Sequence, residues 1–247
     1  MTDHSQPRAA DTAPAAPTTP ANPAERPVSA TQPAHLDATP VSPNPLTHVD
    51  GLTVPPTPPA HLDALRARLA DAAADADLLD LAFRTIDSPV GELLLATSAT
   101  GLVRVAFANE DFDAVLDTLG ATVGRRILNA PARLDAPARQ LDDYFGGRRT
   151  AFDLSLDLRL SAGFRRLVQQ HLPEIPYGRT ASYKEMAALV GNPGAVRAVG
   201  TACSTNPLPI VVPCHRVVRS DGSLGGYIGG FAAKQALLDL EHAAATR

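Results

Sequence analysis

Pro207-Leu-Pro-Ile-Val-Val-Pro213-Cys214-His215-Arg216-Val217 is an apolar run that ends in a proline, a cysteine and a histidine. The run directs the chain into an interior, and Pro213 favours a turn or an extended kink at its end. The chain has 247 residues and two cysteines, one of which stands at this point. Only the thiolate is a strong nucleophile, and a free cysteine is mostly protonated at neutral pH. A neighbouring base can take the proton directly or through one water. Adjacent residues of an extended segment point opposite ways, so His215 can serve Cys214 only if the chain turns there. The competing reading of any Cys-His pair is a buried cysteine that behaves as a small hydrophobe.

The surroundings weigh against that bland reading. Upstream lie Ile175-Pro-Tyr-Gly-Arg-Thr-Ala-Ser-Tyr-Lys-Glu-Met-Ala, then Gly191-Asn-Pro-Gly-Ala-Val-Arg-Ala-Val-Gly200, then Asn206-Pro207; downstream lies Gly225-Gly-Tyr227. In this order, and nearly without gaps from position 175 to 241, these stretches resemble the O6-alkylguanine-DNA alkyltransferases, the methylated-DNA–protein-cysteine methyltransferases. A weaker likeness extends back to about Leu81 and leaves the residues before it uncovered.

The rest of the chain divides by composition. Residues 1–60 hold fourteen of the 23 prolines and no aromatic residue, so they cannot bury enough apolar surface to offset the entropy of ordering them. They read as a disordered, partly polyproline II tail, without the basic start and apolar core of a secretory signal. No run of eighteen apolar residues occurs, which argues against a membrane span. Two cysteines give no disulfide framework and fit a reducing cytoplasm. Over 61–80 the dense alanines, with Leu62, Leu65 and Leu69 three and four apart, predict a helical linker, packed on the folded part or frayed.

A first domain is expected over 81–159. Apolar runs at 81–86, 92–97 and 102–107, split by Asp87-Ser-Pro-Val-Gly91 and Thr100-Gly101, predict an antiparallel meander. Helices are expected over 111–119 and 134–145, the second stopped by Gly146-Gly147. Phe152, Leu154, Leu156 and Leu158 alternate with polar residues, as a half-buried strand does. No catalytic constellation is visible here, and the family resemblance implies a small α/β domain that supports the active one.

A second, mainly α-helical domain is expected over 160–247. It opens with a helix, Gly163–His171, in which Phe164, Leu167 and Val168 share a face; Gln169 stands where relatives usually have tryptophan. Ser182-Tyr-Lys-Glu185 is a capping-box pattern that starts another helix. Gly191 ends it, Asn192 can cap the next and Pro193 suits its first position, which makes a helix-turn-helix. That next helix, near 193–203, carries small residues and one arginine, unlike a helix that reads major-groove base edges. Small side chains fit close approach to a minor groove and a tightly packed core equally well. A last helix is expected near 231–244, with Leu237, Leu238 and Leu240 inward and Glu241 at its end. A carboxylate is unfavourable at that end of the helix dipole, so Glu241 is expected to have another partner.

The resemblance implies the roles. Cys214 would accept an alkyl group from O6 of guanine, or from O4 of thymine. Glu241 would orient His215, and His215 would activate Cys214 through a water. Arg197 would fill the stack left by a flipped nucleotide, and Tyr183 would contact that nucleotide and serve as proton donor to the leaving base. Ala195, Thr201 and Ala202 are the companion DNA-contacting positions. Asn206 is the hinge residue, and Val217, Gly226 and Tyr227 line the alkylguanine pocket, with Ile228 where some relatives have serine.

Nine basic against five acidic residues over 160–247, compared with nine against twelve over 80–159, make the second domain the likelier nucleic-acid face. The expected partner is double-stranded DNA with alkylated bases, bound by a monomer without membrane, cofactor or metal. Cys203, separated from Cys214 by ten residues, has no adjacent base and reads as structural, and two cysteines with one histidine make no zinc pattern. Three other functions fit parts of the pattern: a lesion-binding protein that does no chemistry, a helix-turn-helix transcription regulator and a cysteine hydrolase.

Overall fold

The computed structural model describes residues 59–76 and 78–245. The tail expected over 1–60 lies outside them except for its last two residues. Helix α1, Pro59–Asp75, begins at a proline, whose fixed φ suits a first turn. Its leucine stripe faces outward: Leu62, Leu65 and Leu69 are exposed, while Ala70 is buried and Ala73 half-buried. Small side chains let that helix lie close against its neighbour β4.

The predicted meander is present as β1 (Leu81–Ile86), β2 (Leu93–Thr97) and β3 (Leu102–Phe107), paired antiparallel in turn. A short strand the sequence reading missed, β4 (Ile127–Asn129), adds parallel to β1 and gives the order β3-β2-β1-β4. Three residues carry too little pattern to be read alone. Strand β2 shows no alternation because both its faces are covered. Leu93 and Leu95 face the main core, whereas Leu94 and Ala96 meet Val115 and Leu119 of α2 (Phe112–Thr122). Asp111 caps α2, its carboxylate accepting from the Asp113 and Ala114 amides. Helix α3, Asp135–Phe145, follows a 3-10 turn over Pro131–Leu134.

The strand expected over 152–158 is reduced to one bridge, Leu102 with Leu156. The alternating half-burial is real, but Asp157 turns the chain into a 3-10 helix by accepting from the Arg159 amide, which ends the ladder.

Helix α4 (Gly163–His171) buries Val168 and Gln169 and leaves Leu167 exposed. The Gln169 amide donates to the Ala202 carbonyl at 3.0 Å, a polar contact where the resemblance led us to expect tryptophan. The capping box holds as read: Ser182 Oγ accepts from the Glu185 amide at 3.1 Å, and Glu185 accepts from the Ser182 amide at 2.6 Å. It starts α5, Tyr183–Leu189. The next helix, α6 (Val196–Ser204), begins later than expected, with Ala195 and not Asn192 at its cap. The Asn192 carbonyl instead accepts from the Ala195 amide, closing a turn around Pro193-Gly194. The chain ends in α7, Gly230–Ala245.

One buried cluster runs from the sheet (Leu93, Leu95, Val105) through Tyr144 to Leu208, Ile210, Val212 and Leu237. The seam is also hydrogen-bonded. The Val105 amide and the Arg104 guanidinium both donate to the Pro207 carbonyl, at 2.9 and 3.1 Å, and Arg104 is ion-paired with Glu110.

Candidate active site

The Pro207–Pro213 run is buried throughout, and its backbone is tightly wound. Val212 donates to the Leu208 carbonyl, Cys214 donates to the Val212 carbonyl, and Ile210 is held at φ 73°. A β-branched residue at positive φ costs about 1–3 kcal/mol and persists only where surrounding contacts enforce it. The turn that the Cys-His pair requires is there, as a 3-10 turn over Cys214–Arg216. A two-residue parallel ladder, β5 (Ala181–Ser182) with β6 (Val217–Val218), then sets the start of α5 beside this turn.

Asn206 is fully buried. Its amide nitrogen lies 2.8 Å from the Val212 carbonyl and 3.2 Å from Cys214 Sγ, and its oxygen accepts from the Leu208 amide. Cys214 is 2% exposed. Burial pushes its thiol up to about 11, against the pull of the Asn206 donor and the Lys234 charge. The resting sulfur is therefore protonated at neutral pH.

His215 Nε2 sits 2.8 Å from Glu241 Oε1, and both side chains are fully buried. Burial holds the imidazole below its ordinary value of 6.5, against the opposing pull of Glu241. His215 Nδ1 is buried and has no hydrogen-bond partner among the described residues. Burial would raise Glu241, but hydrogen bonds from His215 and Arg216 outweigh it and hold the carboxylate at about 2. The acid at the end of the last helix thus has the partner the sequence called for.

Four groups around this pair were not read from sequence. Arg216 donates to both Glu241 oxygens at 3.0–3.2 Å and to the Ile175 carbonyl at 2.8 Å. The Gly178 amide donates to Glu241 Oε2 at 3.1 Å. Tyr144 OH donates to Glu241 Oε1 at 2.7 Å. Lys234 Nζ, fully buried, donates to the Val217 carbonyl at 2.6 Å. Lys234 had a signal: it lies three and seven residues before Leu237 and Glu241, on the buried stripe of α7. Tyr144, seventy-one residues from His215, had none.

Of the expected pocket residues, Tyr227 lies beside the site. Tyr227 stacks edge-on to Phe107 and His215, with ring centroids 5.6 and 6.4 Å apart. Val217 is buried and Gly226 exposed. Tyr183 packs against the same loop: a Cβ on Gly225 would lie 2.1 Å from its hydroxyl. On α6, Arg197 and Thr201 are exposed and Ala195 is half-exposed. Ala202 is the exception: it is fully buried, its carbonyl taken by Gln169, and faces the core and not the outer side of the helix. Cys203 is buried, with its thiol raised chiefly by burial. Among the described residues no cluster of three His, Cys, Asp or Glu could hold a metal ion, and no helix is long and apolar enough to cross a membrane.

A protonated cysteine under an amide donor, next to an imidazole backed by an ionised carboxylate, is the machinery of a cysteine nucleophile. Two family models divide the chain around it. One, 6-O-methylguanine DNA methyltransferase, ribonuclease-like domain, matches residues 81–158; the other, the DNA binding domain of the same enzyme, matches 163–243. A methylated-DNA–protein-cysteine methyltransferase of Mycolicibacterium paratuberculosis is 44% identical over 159 residues, 64% of this chain and 91% of that protein. One of Methanosarcina barkeri is 40% identical over 163 residues, 63% of this chain and 94% of its own length. The crystal structure of Mycobacterium tuberculosis O6-methylguanine methyltransferase superposes with a TM-score of 0.59 at 40% identity, covering 66% of this chain and 94% of that one. A structure of the same protein in complex with DNA matches equally well, with a TM-score of 0.59. This chain belongs to the methylated-DNA–protein-cysteine methyltransferase family, and its activity is alkyl transfer from methylated DNA to a cysteine of the protein.

Proposed function

We propose that Cys214 is the acceptor and that the chain repairs O6-alkylguanine in double-stranded DNA, one lesion per molecule. The observation that carries this reading is the Asn206–Cys214 contact beside the His215–Glu241 pair. Cys203, the only other thiol, has no such base. His215 Nε2 gives its hydrogen to Glu241, which leaves Nδ1 to take the Cys214 proton, through one water. The sulfur then bonds to the alkyl carbon as the carbon–O6 bond breaks, and that electron pair leaves with guanine. A proton reaches the departing base from the Tyr183 hydroxyl. The thioether product is chemically stable and no group here is placed to cleave it, so turnover stops after one event. No cofactor or metal enters these steps.

An atom at guanine O6 is out of reach inside a duplex, so the nucleotide must leave the stack, which costs a few kcal/mol. In this reading α5 and α6 act as a helix-turn-helix, with the small exposed face of α6 against the minor groove and Arg197 in the vacated stack. Supporting it, Arg165, Arg179, Lys184 and Arg197 form no ion pair among the described residues, whereas five of the nine arginines of 80–159 do: Arg84, Arg104, Arg126, Arg148 and Arg159. Unneutralised cations are what a phosphate backbone needs. The chain acts as a cytoplasmic monomer, with 81–159 as support and 160–247 as the working domain.

The test is intact-protein mass spectrometry after mixing with an O6-methylguanine oligonucleotide, with Cys214→Ala alongside. The expected result is a gain of one methyl group at one equivalent, mapped to the Cys214 peptide and absent in the variant. Tight binding without a mass gain would indicate a lesion binder that does no chemistry.

A further inference from the structure

The Glu241 carboxylate is held by four groups from three places in the chain. Arg216 and His215 reach it from the reactive turn, the Gly178 amide from the loop before α5, and Tyr144 from α3. Of these four, only Tyr144 comes from the sheet half of the chain. It is fully buried, its hydroxyl lies 2.7 Å from Glu241 Oε1 and 3.4 Å from His215 Nε2, and its ring is packed among Phe145, Phe152 and Tyr177.

We propose that Tyr144 is a positioning residue of the transfer reaction: its hydroxyl fixes the Glu241 carboxylate, and through it the tautomer and orientation of His215. The hydroxyl proton is committed to Oε1, so His215 Nε2 faces two oxygens that can only accept from it. Nε2 must then carry the ring hydrogen, and Nδ1 is left as the free base. The donated hydrogen bond also spreads the carboxylate charge, which weakens its hold on a proton at His215. The other charged or titratable groups near the pair are Arg216, Lys234, Cys214, Tyr177 and Tyr227; of these Arg216 also donates to Oε1, but only the Tyr144 hydroxyl lies at the same time beside His215 Nε2. The inference rests on His215 being the base for Cys214.

Tyr144→Phe keeps the ring and removes the donor. In single-turnover transfer from an O6-methylguanine duplex the variant should be about tenfold slower, the scale of one hydrogen bond to a charged group. Its acidic limb should move to higher pH, because a less shielded carboxylate holds the His215 proton more firmly. A ring-fluorinated tyrosine at 144, a stronger donor of nearly the same shape, should move the limb to lower pH and also serves if the phenylalanine variant does not fold. In a Glu241→Gln background Tyr144→Phe should add little further slowing. Wild-type rate and limb in both replacements, or an undiminished effect without Glu241, would overturn the proposal. His215→Ala at the wild-type rate would instead remove the underlying base assignment, so the two failures are distinguishable.

Discussion

Cys214 and His215 each have a protonation state set by burial, in opposite senses: burial keeps the proton on the thiol and off the imidazole. A thiol held up to about 11 beside an imidazole held below 6.5 leaves a wide neutral window in which acid and base are both poised. The single-turnover rate is therefore expected to be flat across that window and to fall on acidification only at a pH below the ordinary imidazole value, since burial holds His215 lower. A rate that climbed tenfold per pH unit through neutrality would mean a thiolate formed without His215. Glu241 makes a separate prediction about stability. Its folded value of about 2 lies below the ordinary 4.5, so the stabilisation is fully present above pH 4.5 and is lost as pH falls towards 2. The effect is on the order of 3 kcal/mol. Glu241→Gln should remove that pH dependence. It should also lower stability at pH 7 by about 3–5 kcal/mol, because it leaves Arg216 buried without its charge partner. Urea denaturation at pH 7 and pH 3 measures both.

At the scale of elements, short pieces of structure aim the reactive groups. The β5–β6 ladder is only two residues long, yet it joins the strand leaving the Cys214 turn to the capping residue of α5. Ser182 thus has two tasks, pairing with Val218 and capping the helix that starts at Tyr183. Ser182→Ala should cost about 1 kcal/mol by urea denaturation, the usual worth of a serine cap. It should also slow transfer, because Tyr183 loses its fixed starting point; transfer at the wild-type rate with the stability loss intact would confine Ser182 to a structural role. The capping box was legible because its four residues are local. The start of α6 was not, because the Asn192 carbonyl prefers the turn around Pro193-Gly194 to a cap, a choice that depends on the path the chain must take between α5 and α6.

For the whole molecule, the issue is how the sheet half supports the reactive half. The open side of β3 at Val105 is occupied by the Pro207 carbonyl, so the sheet edge and the reactive segment are one hydrogen-bonded unit. Arg104, at 12% side-chain exposure, reinforces the seam and is neutralised by Glu110. Arg104→Ala is expected to destabilise the protein by about 2 kcal/mol through a lost charged hydrogen bond and an uncompensated Glu110. It should slow transfer as well, since Pro207 directly follows Asn206, whose side chain donates to Cys214 Sγ. A thermal melt paired with the mass-spectrometric transfer assay checks both, and a destabilised variant with unchanged transfer would show that the seam supports folding alone.

The meander, most helices, the capping box and the reactive motif from Asn206 to His215 were determined by sequence alone, because each rests on neighbours a few residues apart. Periodicity, turn formers and caps are local signals, and the motif order identified the chemistry without any coordinates. The tertiary structure decided what joins distant segments. It put Tyr144 on Glu241, Arg216 across both carboxylate oxygens and Lys234 on the Val217 carbonyl, and it turned Ala202 inward under Gln169. The reason is physical. A buried charge or phenol must find its partner wherever packing places one, and that placement depends on how the helices and sheet close around the core.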